Sequence, residues 1–367
     1  MTERDAETQR RSGAGGARPT IADVARLAGV SKGLVSFALN DRPGVSADSR
    51  DRILSAAAEL GWSPNMRARS LSTNRAFAIG LVIAREPDIV AADPFFPTFM
   101  AGVETELSGA GQALVLATVT PGRQEADTYR SLALDKRIDG VILTDLRADD
   151  ERIALIGELG LAAVTLGHPD TDSPFPAVSI DDEAGVTATV DHLVQLGHRS
   201  IAHVAGPSSM LHAARRRRAF ERAADAHGIT ARTVETDFSA TEGAAATRHL
   251  LGDVAERPTA IVYSNDPMAF AGLAVAQRAG LSVPRDLSIT GFDNTDLAEH
   301  VYPSLTSVAT DVAAWGAIAA RVLLATIASE PVDNTDLPPA RLVTRESTSH
   351  APASPAPTPP APTKNGR

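Results

Sequence analysis

The 367-residue chain contains no cysteine. That absence excludes disulfides, thiol nucleophiles and every cysteine-ligated zinc or iron–sulfur site. Long apolar runs are missing too, since no stretch approaches the roughly 18–20 residues that span a bilayer. Met1 to Arg18 is charged and glycine-rich and lacks the apolar core of a secretion signal. The expectation is a cytoplasmic protein that makes no membrane contact. No strand-like run leads into a Gly-x-Gly-x-x-Gly, a phosphate-loop Gly-Lys-Ser/Thr or a Gly-x-Ser-x-Gly elbow. His198 and His203 sit across a turn and a strand, a poor geometry for metal. No catalytic residue, metal or cofactor is therefore assigned, and an α/β enzyme is a disfavoured alternative.

What is present is ordinary in bulk and uneven in distribution. Hydrophobic residues make up 43% and charged residues 22%, as in a soluble globular protein, and the length fits two or three domains. The formal net charge of -10 argues against nucleic acid only when taken whole. Residues 1–75 carry 12 Lys/Arg and 8 Asp/Glu, a balance of +4, whereas residues 76–367 carry 23 and 37, a balance of -14. A basic head on an acidic body implies two parts with different partners. Residues 1–17 are polar, and 350–367 hold six prolines and no large apolar residue, so both ends are expected to be disordered.

Residues 18–62 read as three short helices. Thr20 with Asp23 forms a capping box before a helix from Ile21 to Ala28, whose Ile21, Val24, Ala25 and Ala28 share one face. Gly29 ends it in a tight turn. Ser31 caps a second helix with Leu34, Val35, Ala38 and Leu39 apolar, and Ser46 caps a third with Ile53, Leu54, Ala57 and Leu60 apolar. Two helices joined by a glycine turn with a third behind them form a helix-turn-helix candidate; a plain helical bundle uses the same caps and turns.

From Ala78 the pattern changes. Short apolar runs recur at Ile79–Ile83, Leu114–Ala117, Val141–Leu143, Ala163–Leu166, Ile201–Ala205, Ala260–Tyr263 and Leu287–Thr290. Between them lie helical stretches such as Phe99–Gly109, Ala184–Leu196, Ala213–Ala226 and Pro267–Gly280. Continuous apolar strands alternating with amphipathic helices mean parallel α/β sheets. There are too many strands for one small sheet, so the core is expected to form two Rossmann-like lobes with a cleft between them.

The run Thr20-Ile21-Ala22-Asp23-Val24-Ala25-Arg26-Leu27-Ala28-Gly29-Val30-Ser31, followed by Leu34-Val35-Ser36-Phe37-Ala38-Leu39-Asn40, resembles the head of the lactose-repressor (LacI/GalR) family. The resemblance continues through Val45-Ser46, Leu60-Gly61-Trp62 and Pro64-Asn65. In the core it rests on Pro94-Phe95-Phe96, Asp139-Gly140-Val141-Ile142, Leu196-Gly197-His198-Arg199, Ala205-Gly206-Pro207, Asn265-Asp266, Gly291-Phe292-Asp293 and Arg341–Ser347. It implies a helical DNA-binding head (18–62), a hinge helix and linker (63–76) and a periplasmic-binding-protein-type α/β core (77–349). The core's N-lobe would span about 77–178 and 308–338, and its C-lobe about 179–307 and 339–349.

By that resemblance the second helix enters the major groove, with Lys32, Gly33 and Ser36 nearest base edges and Phe37 at the end of the exposed surface. Leu34 stands where Thr is usual and Phe37 where Arg is usual. Phe37 offers a thymine methyl only apolar contact, or else packs against the hinge. Thr20, Ser31, Asn40, Ser46 and Ser49 are placed for phosphate contacts, which position without specifying. Asn65–Leu71 resembles the family's hinge helix, too short to be stable alone, with Ala68 and Leu71 at the minor-groove positions where the leucine wedges the duplex.

Ligands of open α/β sheets bind beyond the carboxyl ends of the strands. Phe95, Phe96, Asn265 and Asp293 follow strands there, and Arg216 matches the family's effector-binding arginine. His168 and His212 stand at cleft positions where the family varies. A carboxylate, an amide and an arginine around an aromatic face suit a sugar first and a nucleoside or purine second. Each has a plainer reading: a turn cap for Asp293, a solvated helix face for Arg215–Arg218, core for Phe96. Asp266 is read as tying down its loop. The resemblance further implies a homodimer on a palindromic operator, controlled by the cleft ligand. A stand-alone sugar-binding protein is disfavoured because a helical head is present and a secretion signal is not.

Overall fold

The computed structural model describes residues 19–39, 43–62, 70 and 73–352. Residues 1–17 and 353–367 of the expected disordered ends, the hinge positions Ala68 and Leu71, and Asn40 lie outside the described residues, whereas the start of the expected tail, 350–352, is described and held to the core by the Ala351 N–H, which donates to the Leu196 carbonyl at 2.8 Å. The chain divides into two compact units, 1–75 and 76–367.

In the first unit the helices are α1 (Ile21–Ala28), α2 (Lys32–Leu39) and α3 (Ala47–Glu59). The Asp23 carboxylate accepts the Thr20 backbone N–H at 2.9 Å, closing the start of α1. Gly29, at φ 70°, turns the chain in the left-handed region that a side chain would resist. The Ser31 and Ser46 hydroxyls accept the Leu34 and Ser49 backbone N–H groups at the starts of α2 and α3. Val24, Val35 and Ile53, one from each helix, meet in a fully buried core.

The second unit alternates strands and helices. Its first lobe holds β1 (Ala78–Ile83), α4 (Pro87–Ala92), α5 (Phe95–Gly109), β2 (Ala113–Thr118), α6 (Arg123–Leu134), β3 (Gly140–Leu143), α7 (Arg152–Glu158), β4 (Ala162–Leu166) and β5 (Ala177–Ile180). The second lobe holds α8 (Glu183–Gln195), β6 (Ser200–Ala205), α9 (Leu211–His227), β7 (Thr230–Glu235), α10 (Ala240–Gly252), β8 (Ala260–Tyr263), α11 (Asp266–Arg278), β9 (Ser288–Asp293), α12 (Asp296–His300) and β10 (Thr306–Ala309). The chain then returns to the first lobe for α13 (Val312–Ile327) and β11 (Thr335–Leu337), and ends in the second with β12 (Arg341–Val343).

Each lobe is built on a six-stranded sheet, ordered β11-β5-β4-β3-β1-β2 and β12-β10-β9-β8-β6-β7. All pairings are parallel except β12 against β10. The central strands read as continuous apolar runs because both faces are covered. Two crossings fall a little beyond the expected points: the first sheet keeps β5 through Ile180, and the second keeps β10 through Ala309.

Helices α5 and α13 press together on one face of the first sheet. A β-carbon on Gly102 would collide with the Ala313 carbonyl, and one on Gly316 with the Phe99 carbonyl, so reciprocal glycines set the closeness of the pair. The entry to the first lobe is pinned by Asp139, whose carboxylate accepts the Ala76 and Phe77 backbone N–H groups at 2.7 and 2.8 Å.

Candidate DNA-binding head and ligand cleft

On α2, Val35 and Ala38 turn inward, and Lys32, Gly33 and Phe37 are exposed, with Ser36 half-buried beside them. Phe37 is 42% exposed, unusual for so large an apolar side chain. Arg50 of α3 donates to the Ala38 carbonyl at 3.0 Å and ties down the end of α2. The hydroxyls expected at phosphates fall into two groups. Thr20 donates its proton to Asp23 at 2.7 Å, and Ser46 donates to Ser49 at 2.9 Å. Ser31 and Ser49 act as acceptors in the head and keep a hydroxyl proton to offer.

Between the lobes of the core lies a cavity lined by side chains of both, a position where small-molecule sites commonly form. Arg216, on α9, donates from Nε to Asp182 at 2.7 Å and from Nη1 to the Ser264 carbonyl at 3.1 Å, while its guanidinium lies 3.6 Å from the Phe292 ring centroid. Asp293 ends β9 at φ 102°. Burial first, and then the negative charges of Asp93 and Asp266, hold its carboxyl well above the usual carboxylate range against the pull of Arg216 and Arg85. His212 stacks on Phe238, 5.5 Å between centroids. Burial and the Arg216 charge bring its imidazole down to about 3, so it is neutral at pH 7.

Asn265 also lines the cavity, but its amide is engaged. The side-chain oxygen accepts the Met268 N–H at 2.9 Å as the cap of α11, and the nitrogen donates to the Phe238 carbonyl at 2.9 Å. Asp266 ties its loop as expected, accepting from Ser307 at 2.6 Å and from the Thr295 backbone and hydroxyl at 2.7 and 2.9 Å. Burial pushes it up to about 6 despite those bonds.

Two expected contacts are displaced. Phe96 is 1% exposed and packs in the first lobe's core, so it offers no stacking face; Phe95 lines the cavity instead, beside Trp315. The helix that carries them starts four residues before the expected Phe99, and one step along a helix turns a side chain by about 100°. His168 lies outside the cavity lining. Its ring reaches the Ser179 hydroxyl at 3.1 Å and Asp336 of β11 at 3.4 Å, at the far edge of the first sheet.

Among the cavity residues that were not anticipated are four charged side chains and one indole. Arg85 follows β1, and Asp145 grips its guanidinium with both oxygens at 2.6 and 2.7 Å. Burial alone would raise Asp145, but the Arg85 charge and hydrogen bonds outweigh it and bring the carboxyl down to about 2. Arg85 also lies 5.1 Å from the Phe238 ring of the second lobe. Asp93, Asp182 and Trp315 complete the five; Trp315 donates to the Val178 carbonyl at 2.8 Å. Positions just after strand ends are a usable signal for Arg85 and Asp145, whereas Trp315 comes from a helix far along the chain.

The lobes also touch through backbone. Leu211 N–H donates to the Leu146 carbonyl at 2.8 Å, beside an antiparallel bridge of Arg147 with Met210. Among the described residues no group of three or more metal-ligating side chains is assembled, and no helix is long and apolar enough to cross a membrane.

A helix-turn-helix head followed by a two-lobed core with a polar cleft between the lobes defines a ligand-responsive DNA-binding regulator. Residues 20–65 match the bacterial regulatory proteins of the lacI family, and residues 190–348 match a periplasmic binding protein-like domain. The HTH-type transcriptional regulator CelR of Thermobifida fusca is 34% identical over 331 residues, 89% of this chain and 95% of that protein. The solved complex of a CelR regulator with cellobiose is 32% identical with a TM-score of 0.68, covering 90% of this chain and 100% of that one. The lac repressor dimer bound to operator and the anti-inducer ONPF is 28% identical with a TM-score of 0.76, covering 91% and 100%. The chain belongs to the LacI family of transcriptional regulators, and it is not an enzyme.

Proposed function

We propose that the protein is a cytoplasmic transcriptional repressor that binds a palindromic operator as a homodimer and is controlled by a sugar in the interlobe cleft. The cleft carries this reading. It joins aromatic walls from Phe95 and Trp315 to a carboxyl, Asp293, that no donor among the described residues engages. That combination suits a polyhydroxyl ring, which stacks on the walls and donates hydroxyls to the acid. A cellobiose-bound relative of similar fold supports the choice of a sugar.

Lys32, Gly33, Ser36 and Phe37 read base edges, while Ser31 and Ser49, which keep a hydroxyl proton, and Asn40 meet phosphates; Thr20 and Ser46 join them when DNA draws their hydroxyl protons from Asp23 and Ser49. Ala68 and Leu71 enter the minor groove from a hinge within 63–76. Arg216, Asn265, His212, Phe95 and Asp293 contact the effector, with Arg85, Asp93, Asp145, Asp182 and Trp315 around them. Phe96 and His168 act from behind the site. Fluorescence anisotropy with palindromes from the chain's own upstream DNA tests the reading. Binding that cellobiose or a related sugar alters is expected. Failure to bind any such palindrome overturns the repressor, and a response to nucleosides but to no sugar overturns the effector class.

A further inference from the structure

The charges of the cleft do not balance. Two guanidiniums line it, and each is claimed: Arg85 by Asp145 and Arg216 by Asp182. Two carboxyls remain. Asp93 lies between α4 and α5 in the first lobe; it accepts the Phe95 N–H at 3.0 Å and stands 3.5 Å from an Arg85 nitrogen. Asp293 ends β9 in the second lobe. Both line the same cavity, and Asp93 is the strongest charge acting on Asp293. The other charged groups around the pair are Arg85, Asp145, Asp182, Arg216 and Asp266. His212 is neutral there. Arg85 is shared between Asp145 and Asp93, no cation among the described residues bonds Asp293, and the four carboxyls of the lining outnumber its two guanidiniums.

We propose that Asp93 and Asp293 form a carboxyl pair, one from each lobe, that opposes closing of the empty cleft and selects an effector offering hydrogen-bond donors to both while carrying no anionic group. This rests on the sugar-sensing reading and narrows it to an unsubstituted or amino sugar. Sugar phosphates, uronic acids and nucleotides are excluded. Hydroxyls or an ammonium placed between the carboxyls turn a repulsion into two charge-assisted hydrogen bonds, whereas a phosphate brings further negative charge to two acids already in conflict. Without effector, a proton shared by the pair does part of the same work, so acid favours the closed lobes.

Thermal unfolding of the full chain without ligand tests the pair. Asp293→Asn is the clean variant, because that carboxyl has no hydrogen bond among the described residues to lose. An acid held above its ordinary range when folded lowers stability as pH rises through that range. Asp293→Asn is therefore expected to melt about 2–4 °C above wild type at pH 7.5, with the gap closing toward pH 4. Asp93→Asn, which keeps the acceptor for Phe95, should shift the same way. If both variants melt at or below wild type at pH 7.5, with profiles parallel to it, the pair is overturned.

The ligand arm compares cellobiose, glucose and glucosamine with glucose 6-phosphate and glucuronic acid at equal concentration. Stabilisation by the first group and not the second is expected. Equal stabilisation by glucose 6-phosphate or glucuronic acid overturns the selectivity. If no saccharide shifts the melting point, the sugar reading itself fails, and the unliganded variants still judge the carboxyl pair.

Discussion

Arg216 meets three partners with one side chain: a carboxylate, a carbonyl and an aromatic face. Only a planar guanidinium can do this, because a lysine ammonium neither forks nor stacks. Arg216→Lys should keep its charge, leave DNA binding intact and weaken effector affinity by about 1.5–3 kcal/mol, the range for a hydrogen bond to a charged group. Calorimetric titration with the responsive sugar measures this, and an unchanged affinity would remove Arg216 from the binding surface. Arg216 and Asp293 were legible in the sequence because each occupies a recognisable motif position. His168 was misplaced for a nonlocal reason: Asp336, which holds it, arrives from β11, 168 positions further along the chain. Asp93 stood in plain view before Pro94, but its importance comes from lining the same cavity as Asp293 of the other lobe, and sequence spacing carries no such information.

Among the elements, the glycine-set contact of α5 with α13 is the tightest helix packing described. Gly316→Ala drives a methyl into the Phe99 carbonyl and should destabilise the core by about 1–3 kcal/mol, as overpacking does. Urea denaturation followed by far-ultraviolet circular dichroism checks it, and a neutral result would mean that the helices slide apart freely. In the hinge, Leu71→Ala should weaken operator affinity by about 1–3 kcal/mol, the loss typical of one specifying contact, without moving the core's melting point. Anisotropy titration reads this, and unaltered affinity refutes the wedge. The seven expected apolar runs all became strands: six are buried parallel strands, apolar on both faces, and the seventh, β2, is an edge strand that keeps an apolar sequence though only partly buried. β7 escaped notice because Thr230–Glu235 lies at a sheet edge and is only partly buried. β5 and β11 are three or four residues long, too short for periodicity to speak.

At the scale of the whole molecule, acid acts on the core in two opposed ways. His203 and His212 are brought down to about 3, mainly by burial. Unfolded, each takes a proton near 6.5, so each removes stability as pH falls below that value, by up to about 1.4 kcal/mol per pH unit. Asp266 and Asp293, held above the ordinary range, add stability as pH falls toward 3.8. Between pH 6 and 4 the pairs offset each other. His212→Gln should tip the balance, making the core gain about 1.4 kcal/mol relative to wild type for each pH unit lowered in that window. Denaturation at pH 6 and pH 5 is the measurement; identical slopes for variant and wild type would place His212 in contact with water.

The path of the chain also sets an order in time. The head spans the first 62 residues, yet the first lobe lacks its packing helix α13 and its edge strand β11 until residue 337 has been made. Domains form as their sequence emerges during synthesis. The part that meets DNA is therefore complete long before the part that governs it, and neither lobe is finished until the last strands arrive. A nascent chain interrupted within the second lobe has a head but no cleft able to close. The sensor thus matures as one unit once β12 has been made, with no half-built form that answers to ligand.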